Sequence, residues 1–386
     1  MFIPSERSRV SPFIAMDVMA RANAMEQGGK NVFHLEIGQP GARLPESIRS
    51  TVADALDAGK FGYTEALGKS ELRCKIAANY TSTYQVSVDP AQIAITTGSS
   101  AAFNLAFLAM FEPGDRVALP SPGYPAYRNI LQALGIIVVE IETFEKDRWV
   151  LTAEALLKAH TQTPLKGVLV ASPGNPSGTI IRPDTLGNLI KIAADLGLWF
   201  VSDEIYHGLV YEGSAVTAAG QSDNVVVINS FSKYYCMTGW RIGWMVLPDA
   251  LVRPVERLAQ SFYISAPDIS QIAAGAALAA TVELEEIKAG YATNRLLLLE
   301  ALPHMGIETI LPADGAFYIY CDVRKFTNDS SQLAAKVLDE AGVAFTPGAD
   351  FDLKSGKSYI RLSYAAETTV FTEAVQRLSE WFQKNG

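Results

Sequence analysis

From residue 90 onward, short apolar segments alternate with longer segments that have the periodicity of helices. Each short segment is rich in Val, Ile, Leu and Ala, and a polar turn follows it. The pattern predicts strands at 93–96, 116–119, 136–141, 167–171 and 198–202, and helices at 99–111, 125–134, 152–160 and 183–196. Because consecutive parallel strands need crossover helices, this order predicts a mostly parallel sheet covered by helices on both faces. Ligands of such sheets bind beyond the carboxyl ends of the strands.

A further apolar run at 225–228 predicts another buried strand, and an unusual set of polar side chains follows it. Ser230 and Ser232 precede Lys233, and Arg241 lies a few residues further on. Two hydroxyls and a guanidinium suit a phosphate dianion. Neighbouring cations destabilise the ammonium form of a lysine and so favour the nucleophilic amine of Schiff-base lysines. The simpler alternative is an exposed loop with an ordinary lysine.

The turns after the strands at 93–96 and 116–119 offer an anion site and an aromatic ring. Gly98, Ser99 and Ser100 open a predicted helix, and the free backbone N–H groups at a helix start bind anions. A plain serine N-cap is the simpler alternative. Tyr124 follows the next strand, so its ring is expected at the same edge of the sheet.

Two more strand ends carry an amide and a carboxylate. Asn175 lies in a turn that two prolines and two glycines make rigid. Asp203 follows a predicted strand, where an unpaired carboxylate is costly unless a cation neutralises it. Tyr206 and His207 come shortly after; we interpret His207 as a structural histidine. Together these strand ends predict one ligand site at the carboxyl edge of the sheet.

The segment around Lys233 resembles the cofactor-lysine signature of the pyridoxal-phosphate aminotransferases of classes I and II, which have fold type I. In that family S-x-S-K is followed by G-x-R-x-G, and the matching residues here are Ser230, Ser232, Lys233, Gly239, Arg241 and Gly243. Segments similar to the family's Y-T-x-x-x-G, N-P-x-G and D-E-x-Y begin at Tyr63, Asn175 and Asp203. The resemblance extends over nearly the whole chain and implies pyridoxal 5'-phosphate as the cofactor.

The resemblance also implies what each residue does for that cofactor. Lys233 would hold it as a Schiff base and move a proton, and Asp203 would keep the ring nitrogen protonated. Asn175 and Tyr206 would bind the phenolic oxygen, and Tyr124 would stack on the ring. The residues that would hold the phosphate are Gly98, Ser99, Ser100, Ser230, Ser232, Arg241 and, from the partner subunit, Tyr63.

A guanidinium, that of Arg361, lies in the middle of a strand predicted at 358–363. An exposed position or a structural ion pair with a carboxylate would explain it equally well. The segment is similar to the family's R-[LIF]-[SA]-x, which implies that Arg361 binds the α-carboxylate of the substrate bidentately. Asn175 and Gly38, which lies in a segment similar to the family's G-x-P, would complete this substrate site.

The chain of 386 residues is long enough for two domains. We predict an N-terminal arm at 1–14, a small α+β domain from 15–45 and 284–386, and a large cofactor-binding α/β domain at 46–283. The other predicted helices are 13–26, 45–58, 70–80, 249–262, 268–280, 283–300, 330–341 and 367–383. The other predicted strands are 32–37, 241–247, 306–310, 316–321 and 343–345.

Composition excludes several classes of partner. A net charge of −9 argues against binding to nucleic acid or to anionic membranes. The most apolar long run, at 93–111, has too many polar residues to span a membrane. The three cysteines have neither metal-binding nor disulfide spacing, so we predict no metal site and a cytoplasmic location.

These observations predict a homodimeric pyridoxal-phosphate-dependent aminotransferase that moves an amino group between an L-amino acid and a 2-oxo acid. The alternatives are a C–S lyase, a decarboxylase or an aminocyclopropane-carboxylate-synthase-like enzyme on the same fold. A DNA-binding regulator and Schiff-base chemistry without this cofactor fit the residues less well. The sequence does not reveal which amino acid is used. Candidates for binding a second carboxylate are Arg21, Arg43 and Arg128, and candidates for an apolar pocket are Phe13, Ile14 and Tyr263.

Overall fold

The computed structural model describes residues 2–385 of the chain. The α-helices in this range are α1 (Ile14–Gln27), α2 (Glu46–Ala58), α3 (Ser70–Tyr84), α4 (Gly98–Met110), α5 (Pro125–Ala133), α6 (Ala153–Gln162), α7 (Pro183–Asp195), α8 (Asp249–Phe262), α9 (Asp268–Ala277), α10 (Thr281–His304), α11 (Ser330–Ala341) and α12 (Thr368–Asn385). The strands are β1 (Phe33–His34), β2 (Ile93–Thr96), β3 (Arg116–Ser121), β4 (Ile137–Glu142), β5 (Gly167–Ala171), β6 (Trp199–Asp203), β7 (Val225–Ser230), β8 (Gly243–Val246), β9 (Tyr318–Asp322), β10 (Val343–Ala344), β11 (Thr346–Pro347) and β12 (Tyr359–Ser363).

The large sheet has the strand order β2-β8-β7-β6-β5-β3-β4. Its strands are parallel except β8, which is antiparallel to both of its neighbours. Alternate residues of β7 enter two different cores: Val225 and Val227 face one, and Val226 and Ile228 face the other. Both faces of the sheet are therefore buried, which confirms the predicted mostly parallel α/β sheet flanked by helices.

A second, smaller group of strands packs with the C-terminal helices. Strands β11, β12 and β9 form an antiparallel sheet in that order, and β1 pairs with β10 in parallel. Their core contains Leu298 of α10, Leu362 of β12 and Phe371 of α12. We therefore keep the domain boundaries 1–14, 15–45 with 284–386, and 46–283 as a proposal, although Met1 and Gly386 lie outside the described residues.

Several predicted elements differ from the structure. The strand predicted at 306–310 is wrong, because Ile310 makes only an isolated bridge to Cys321 and Pro312 soon after has no N–H for a ladder. The strand predicted at 32–37 shrinks to β1, and the helix predicted at 283–300 extends to His304. The predicted N-terminal arm contains a 3-10 turn at Glu6–Ser8. Every helix described within 2–385 falls short of the length or hydropathy needed to cross a membrane.

Candidate active site

A cavity of about 370 Å³ opens at the carboxyl ends of β2, β3, β5, β6 and β7. The predicted site residues that line it are Gly38, Ser99, Ser100, Tyr124, Asn175, Asp203, Tyr206, Ser232, Lys233, Arg241 and Arg361. Gly98, which precedes Ser99, and Ser230, two residues before Ser232, are buried nearby. Tyr63 is the exception: it is 84% exposed and does not line the cavity of its own chain. The fold thus brings together nearly all the residues selected from sequence.

Lys233 lies just after β7, and its Nζ points into the cavity, where it donates a hydrogen bond to the carbonyl oxygen of Gly38. Desolvation and the nearby Arg361 lower the pKa of Lys233 to about 8, although Asp203 acts in the opposite direction. A substantial fraction of this lysine is therefore the neutral amine near pH 8, whereas an ordinary lysine would be almost fully protonated. The neutral amine is the nucleophilic form.

Asp203 ends β6 as a buried carboxylate with neutral hydrogen-bond partners. Its Oδ1 accepts a hydrogen bond from the Ile205 N–H at 3.0 Å, and its Oδ2 accepts one from the Tyr127 hydroxyl. Burial raises the pKa of Asp203 to about 6, against the opposing effect of these two donors and of Lys233. A cationic group of a ligand at this position would relieve the cost of burying the charge.

An anion cradle lies at the start of α4. Gly98 has φ +77°, and a Cβ at this position would overlap the guanidinium of Arg241. The hydroxyl oxygens of Ser230 and Ser232 lie 2.9 Å apart on the adjoining turn. Free helix N–H groups, two hydroxyls and a guanidinium thus converge, which is the donor set that a phosphate requires.

The groups expected to contact an aromatic ring line the same cavity as the cradle and Arg361. The hydroxyls of Tyr206 and Tyr318 are 2.9 Å apart, and burial raises the pKa of Tyr206, so its phenol stays neutral. Oδ1 of Asn175 accepts a hydrogen bond from Arg361 at 2.9 Å, which leaves the amide N–H groups of Asn175 free to donate. A Cβ at Gly38 would overlap the Tyr318 hydroxyl, so only glycine fits there without rearrangement.

Arg361 is buried in β12, and its hydrogen-bond partners are neutral. Its Nη1 donates to Asn175, and its Nη2 donates to the carbonyl oxygen of Glu36 at 2.6 Å and to Oγ1 of Thr346 at 3.2 Å. Its guanidinium carbon lies 4.2 Å from the ring centre of Tyr318 and 4.7 Å from that of Phe351. Neither an exposed position nor a structural ion pair accounts for Arg361, and Nε has no partner within residues 2–385. A carboxylate from outside the chain would complete its bonding.

The remaining walls of the cavity are mostly apolar. The apolar side chains without a predicted cofactor role include Phe13, Ala15, Met16, Met19, Ile37 and Ile130. Of the residues proposed for an apolar pocket, Phe13 therefore lines the cavity, whereas Ile14 and Tyr263 do not.

None of the three arginines considered for a second carboxylate lines this cavity. Arg128 pairs with Glu140 at 2.9 Å, Arg21 pairs with Asp339 at the surface, and Arg43 is exposed. A dicarboxylic side chain would therefore meet no free cation from these residues.

Sequence reasoning missed three residues that shape the site. Tyr127 lies on the same helix as Pro125 and donates to Asp203, Tyr318 contacts both Tyr206 and Arg361, and Asp350 lines the cavity. Tyr127 could have been identified from sequence, because it lies three residues after Tyr124 at a helix start and such residues are neighbours. His207 does not line the cavity: its Nδ1 lies 2.8 Å from the Tyr84 hydroxyl, its Nε2 has no partner within residues 2–385, and burial lowers its pKa to about 3.

Comparisons with known proteins agree with this geometry. The family model described as aminotransferase class I and II matches residues 30–378. A valine–pyruvate aminotransferase of Mycobacterium tuberculosis is 47% identical over 379 residues, which is 97% of each chain. A solved aminotransferase structure from Mycobacterium tuberculosis superposes with a TM-score of 0.96 at 46% identity and 100% coverage of both chains. The solved structure of a putative aminotransferase from Silicibacter pomeroyi superposes with a TM-score of 0.93 at 45% identity, and the match covers 99% of this chain and 100% of that chain.

Proposed function

Because this chain belongs to the aminotransferases of classes I and II, we propose that it transfers the amino group of an apolar L-amino acid to a 2-oxo acid, with pyridoxal 5'-phosphate held at Lys233. The observation that carries the choice of substrate is the apolar wall formed by Phe13, Met16, Met19 and their neighbours in the same cavity as Arg361. The name of the valine–pyruvate aminotransferase, 47% identical, supports the same substrate class.

The residues of the cavity fit this cofactor. The cradle around Gly98 and Arg241 offers donors to a phosphate. The buried carboxylate of Asp203 accepts hydrogen bonds from the neutral donors Tyr127 and Ile205, so a protonated ring nitrogen could add a cationic partner. Tyr206 and the amide of Asn175 would donate to the phenolic oxygen. When bound, pyridoxal phosphate supplies an electron-accepting ring that stabilises negative charge at the substrate Cα.

The chain's own residues would then divide the work. Lys233, partly neutral near pH 8, would hold the cofactor aldehyde and afterwards accept and return the proton of the substrate Cα. Asp203 would hold the proton on the ring nitrogen. Arg361 would orient the substrate through its carboxylate, which directs the Cα proton toward the lysine. The apolar wall would exclude water from the substrate side chain.

A screen of amino donors tests the proposed substrate class. The cofactor-loaded protein is incubated with pyruvate and, separately, with valine, leucine, alanine, aspartate and glutamate, and oxo-acid formation is measured. We expect kcat/KM for valine or leucine to exceed that for aspartate or glutamate by at least about tenfold, because an unpaired carboxylate is costly in an apolar pocket. An acidic amino acid as the best donor would contradict the proposal. Release of ammonia or CO₂ in place of transfer would point to a lyase or a decarboxylase.

Arg361→Ala is expected to weaken amino-acid binding while leaving the cofactor bound. Charge-assisted hydrogen bonds are worth about 1.5–3 kcal/mol, so the apparent Kd should rise roughly ten- to a hundred-fold or more. Arg361→Lys should recover only part of the affinity, since an ammonium cannot form the bidentate pair. Titration of the loaded protein with valine, followed by absorbance, measures both variants. Arg21→Ala, outside the cavity, is the control, and wild-type affinity in both Arg361 variants would exclude the assigned role.

The homodimer is proposed from an exposed apolar surface beside Tyr63. Phe61, Tyr63, Phe262 and Ile264 are 43%, 84%, 58% and 50% exposed. The two segments that carry them are adjacent, since the N–H of Thr64 lies 3.3 Å from Oγ of Ser265. An exposed patch of this kind is typical of a protein–protein interface. We propose that a second copy of the chain covers it, and that Tyr63 of the partner subunit reaches the phosphate.

Mixed dimers test whether Tyr63 acts across the interface. Tyr63→Ala and Lys233→Ala proteins are unfolded and refolded together, so that one site of each mixed dimer has both defects and the other has neither. Cofactor affinity and activity should return in part of the population. Refolding each variant alone is the control. If Tyr63 served its own chain, every site would carry one defect, and the absence of recovery in demonstrated mixed dimers would overturn the shared site.

The proposed cytoplasmic location rests on the cysteines alone. Cys74, Cys236 and Cys321 are free thiols, and free thiols are typical of proteins in a reducing compartment. Fractionation of the source cells with a specific antibody tests the location.

A further inference from the structure

Helix α1 forms part of the apolar wall, whereas its own packing lies further along the helix, where Ala22 is buried and Val18 and Met25 are partly buried in one cluster. Ala15, Met16 and Met19 of α1 line the cavity, as does Phe13 at its N-cap. Ala22 is the only residue of Ile14–Gln27 that is fully buried. Because buried apolar area is the main source of tertiary stabilisation for a helix, the position of this wall depends on other contacts.

The carboxylate of Asp350 supplies such a contact at the cavity end of α1. The N-cap residue Phe13 has no side-chain acceptor for the first N–H groups of the helix. Oδ1 of Asp350 accepts a hydrogen bond from the Ile14 N–H at 3.1 Å, and Oδ2 accepts one from the Ala15 N–H at 3.3 Å. Asp350 is 4% exposed. A residue from the other end of the chain thus acts as the N-cap and places a negative charge at the positive end of the helix.

The turn that contains Asp350 is also fixed to the substrate carboxylate site. The ring centre of Phe351 lies 4.7 Å from the Arg361 guanidinium, and the carbonyl oxygen of Phe351 accepts a hydrogen bond from the Gly123 N–H at 3.0 Å. Arg128 donates to the carbonyl oxygen of Asp350 at 3.4 Å. One short turn therefore joins the residue that would bind the substrate carboxylate to the helix that would contact its side chain.

We propose that Asp350 is a positioning residue for substrate selectivity, which sets the distance between Arg361 and the apolar wall of α1; this rests on the proposed function. With Asp350 in place, the wall would contact the side chain of a substrate whose carboxylate is bound at Arg361, because both line the same cavity. The charge of Asp350 in the same cavity also disfavours substrates with a second carboxylate. Asp350 is not a catalytic residue, because its carboxylate bonds to the backbone of α1.

Kinetics of Asp350→Ala with two donors of different size test the proposal. Loss of an N-cap and its charge should lower kcat/KM for valine roughly tenfold, mainly through KM, since α1 can then move away from the substrate. The methyl group of alanine makes less contact with the wall, so kcat/KM for alanine should fall by less than about threefold. Asp350→Asn keeps one acceptor oxygen and should give an intermediate valine-to-alanine ratio. The Asn variant also provides the test if the Ala variant fails to fold.

Hydrogen exchange gives a readout that needs no activity. In Asp350→Ala, the backbone amides of residues 14–19 should exchange roughly tenfold faster than in the wild-type protein, because two of them lose their acceptor and the helix end frays. The control is Asp339→Asn. It removes the ion-pair partner, on α11, of the exposed Arg21 of α1. An exposed pair contributes little, so selectivity and exchange near the cavity should stay unchanged in that variant.

The outcomes separate this inference from the proposed function. If the wild-type protein uses no apolar donor, the proposed function is wrong, whatever Asp350 does to exchange. If the wild-type protein transaminates valine, an unchanged valine-to-alanine ratio in both Asp350 variants overturns the inference, and so does unchanged exchange at residues 14–19. A fall in the ratio together with faster exchange supports it.

Discussion

Asp203→Ala is expected to lower kcat by roughly 10²- to 10⁴-fold while Lys233 still binds the cofactor. Removing one partner of a buried ion pair costs about 3–5 kcal/mol, and each 1.36 kcal/mol corresponds to a factor of about ten in rate. Asp203 is fully buried, so water cannot replace its carboxylate as the partner of the ring nitrogen. Steady-state kinetics with valine and pyruvate measure the loss. A variant with more than about a third of wild-type kcat would contradict the role of Asp203.

The raised pKa of Asp203 should also make the stability of the cofactor-free protein depend on pH. Burial raises the pKa of Asp203 from 3.8 to about 6, so the folded state binds its proton more tightly than the unfolded state does. The contribution of Asp203 to stability is therefore lost as the pH rises from about 4 to about 6. The free energy of unfolding of the cofactor-free Asp203→Asn protein, relative to that of the wild-type protein, should therefore be larger at pH 7 than at pH 5, as measured by urea unfolding. An equal difference at both pH values would indicate that Asp203 has an ordinary pKa.

Lys233→Ala should abolish covalent attachment of the cofactor and lower kcat by at least roughly 10²- to 10⁴-fold, the range supplied by a positioned acid–base group. The loss of a nucleophilic amine adds to this figure. Lys191→Ala, which removes an exposed lysine of α7 that pairs with Asp195, is the matched control and should behave as the wild-type protein does. Turnover in Lys233→Ala close to that of the control would show that another residue moves the proton.

The strand ends could be predicted because their signals are local. The apolar run of β7 ends where Ser230 and Lys233 begin, and the carboxyl ends of parallel strands meet at one edge whatever the order of the strands. The position of β8 between β2 and β7 could not be predicted. A strand buried on both faces has the same continuous apolar pattern at any position in the sheet. The strand predicted at 306–310 failed because its apolar residues pack without a regular ladder.

Other parts of the site depend on contacts between distant segments. Asp350 and Ile14 are 336 residues apart, and no pattern in either segment predicts the capping contact. The apolar character of the substrate pocket likewise depends on which side of α1 faces the cavity: Met16 and Met19 line it, whereas Ile14 does not. Arg128 is a candidate for a second carboxylate by sequence position, but it pairs with Glu140, which is distant from that segment's own pattern. Sequence therefore predicts the residues that serve the cofactor better than those that select the substrate.

Borohydride reduction of the cofactor-loaded protein, followed by peptide mapping, tests the central claim most directly. Reduction fixes a cofactor bound through an imine to the lysine that carries it. We expect one modified peptide per chain, containing Lys233, and loss of the label when valine is added before reduction, because the substrate amine then replaces the lysine. A label on a different lysine, or no label after incubation with pyridoxal phosphate, would contradict the assignment of Lys233 as the cofactor lysine.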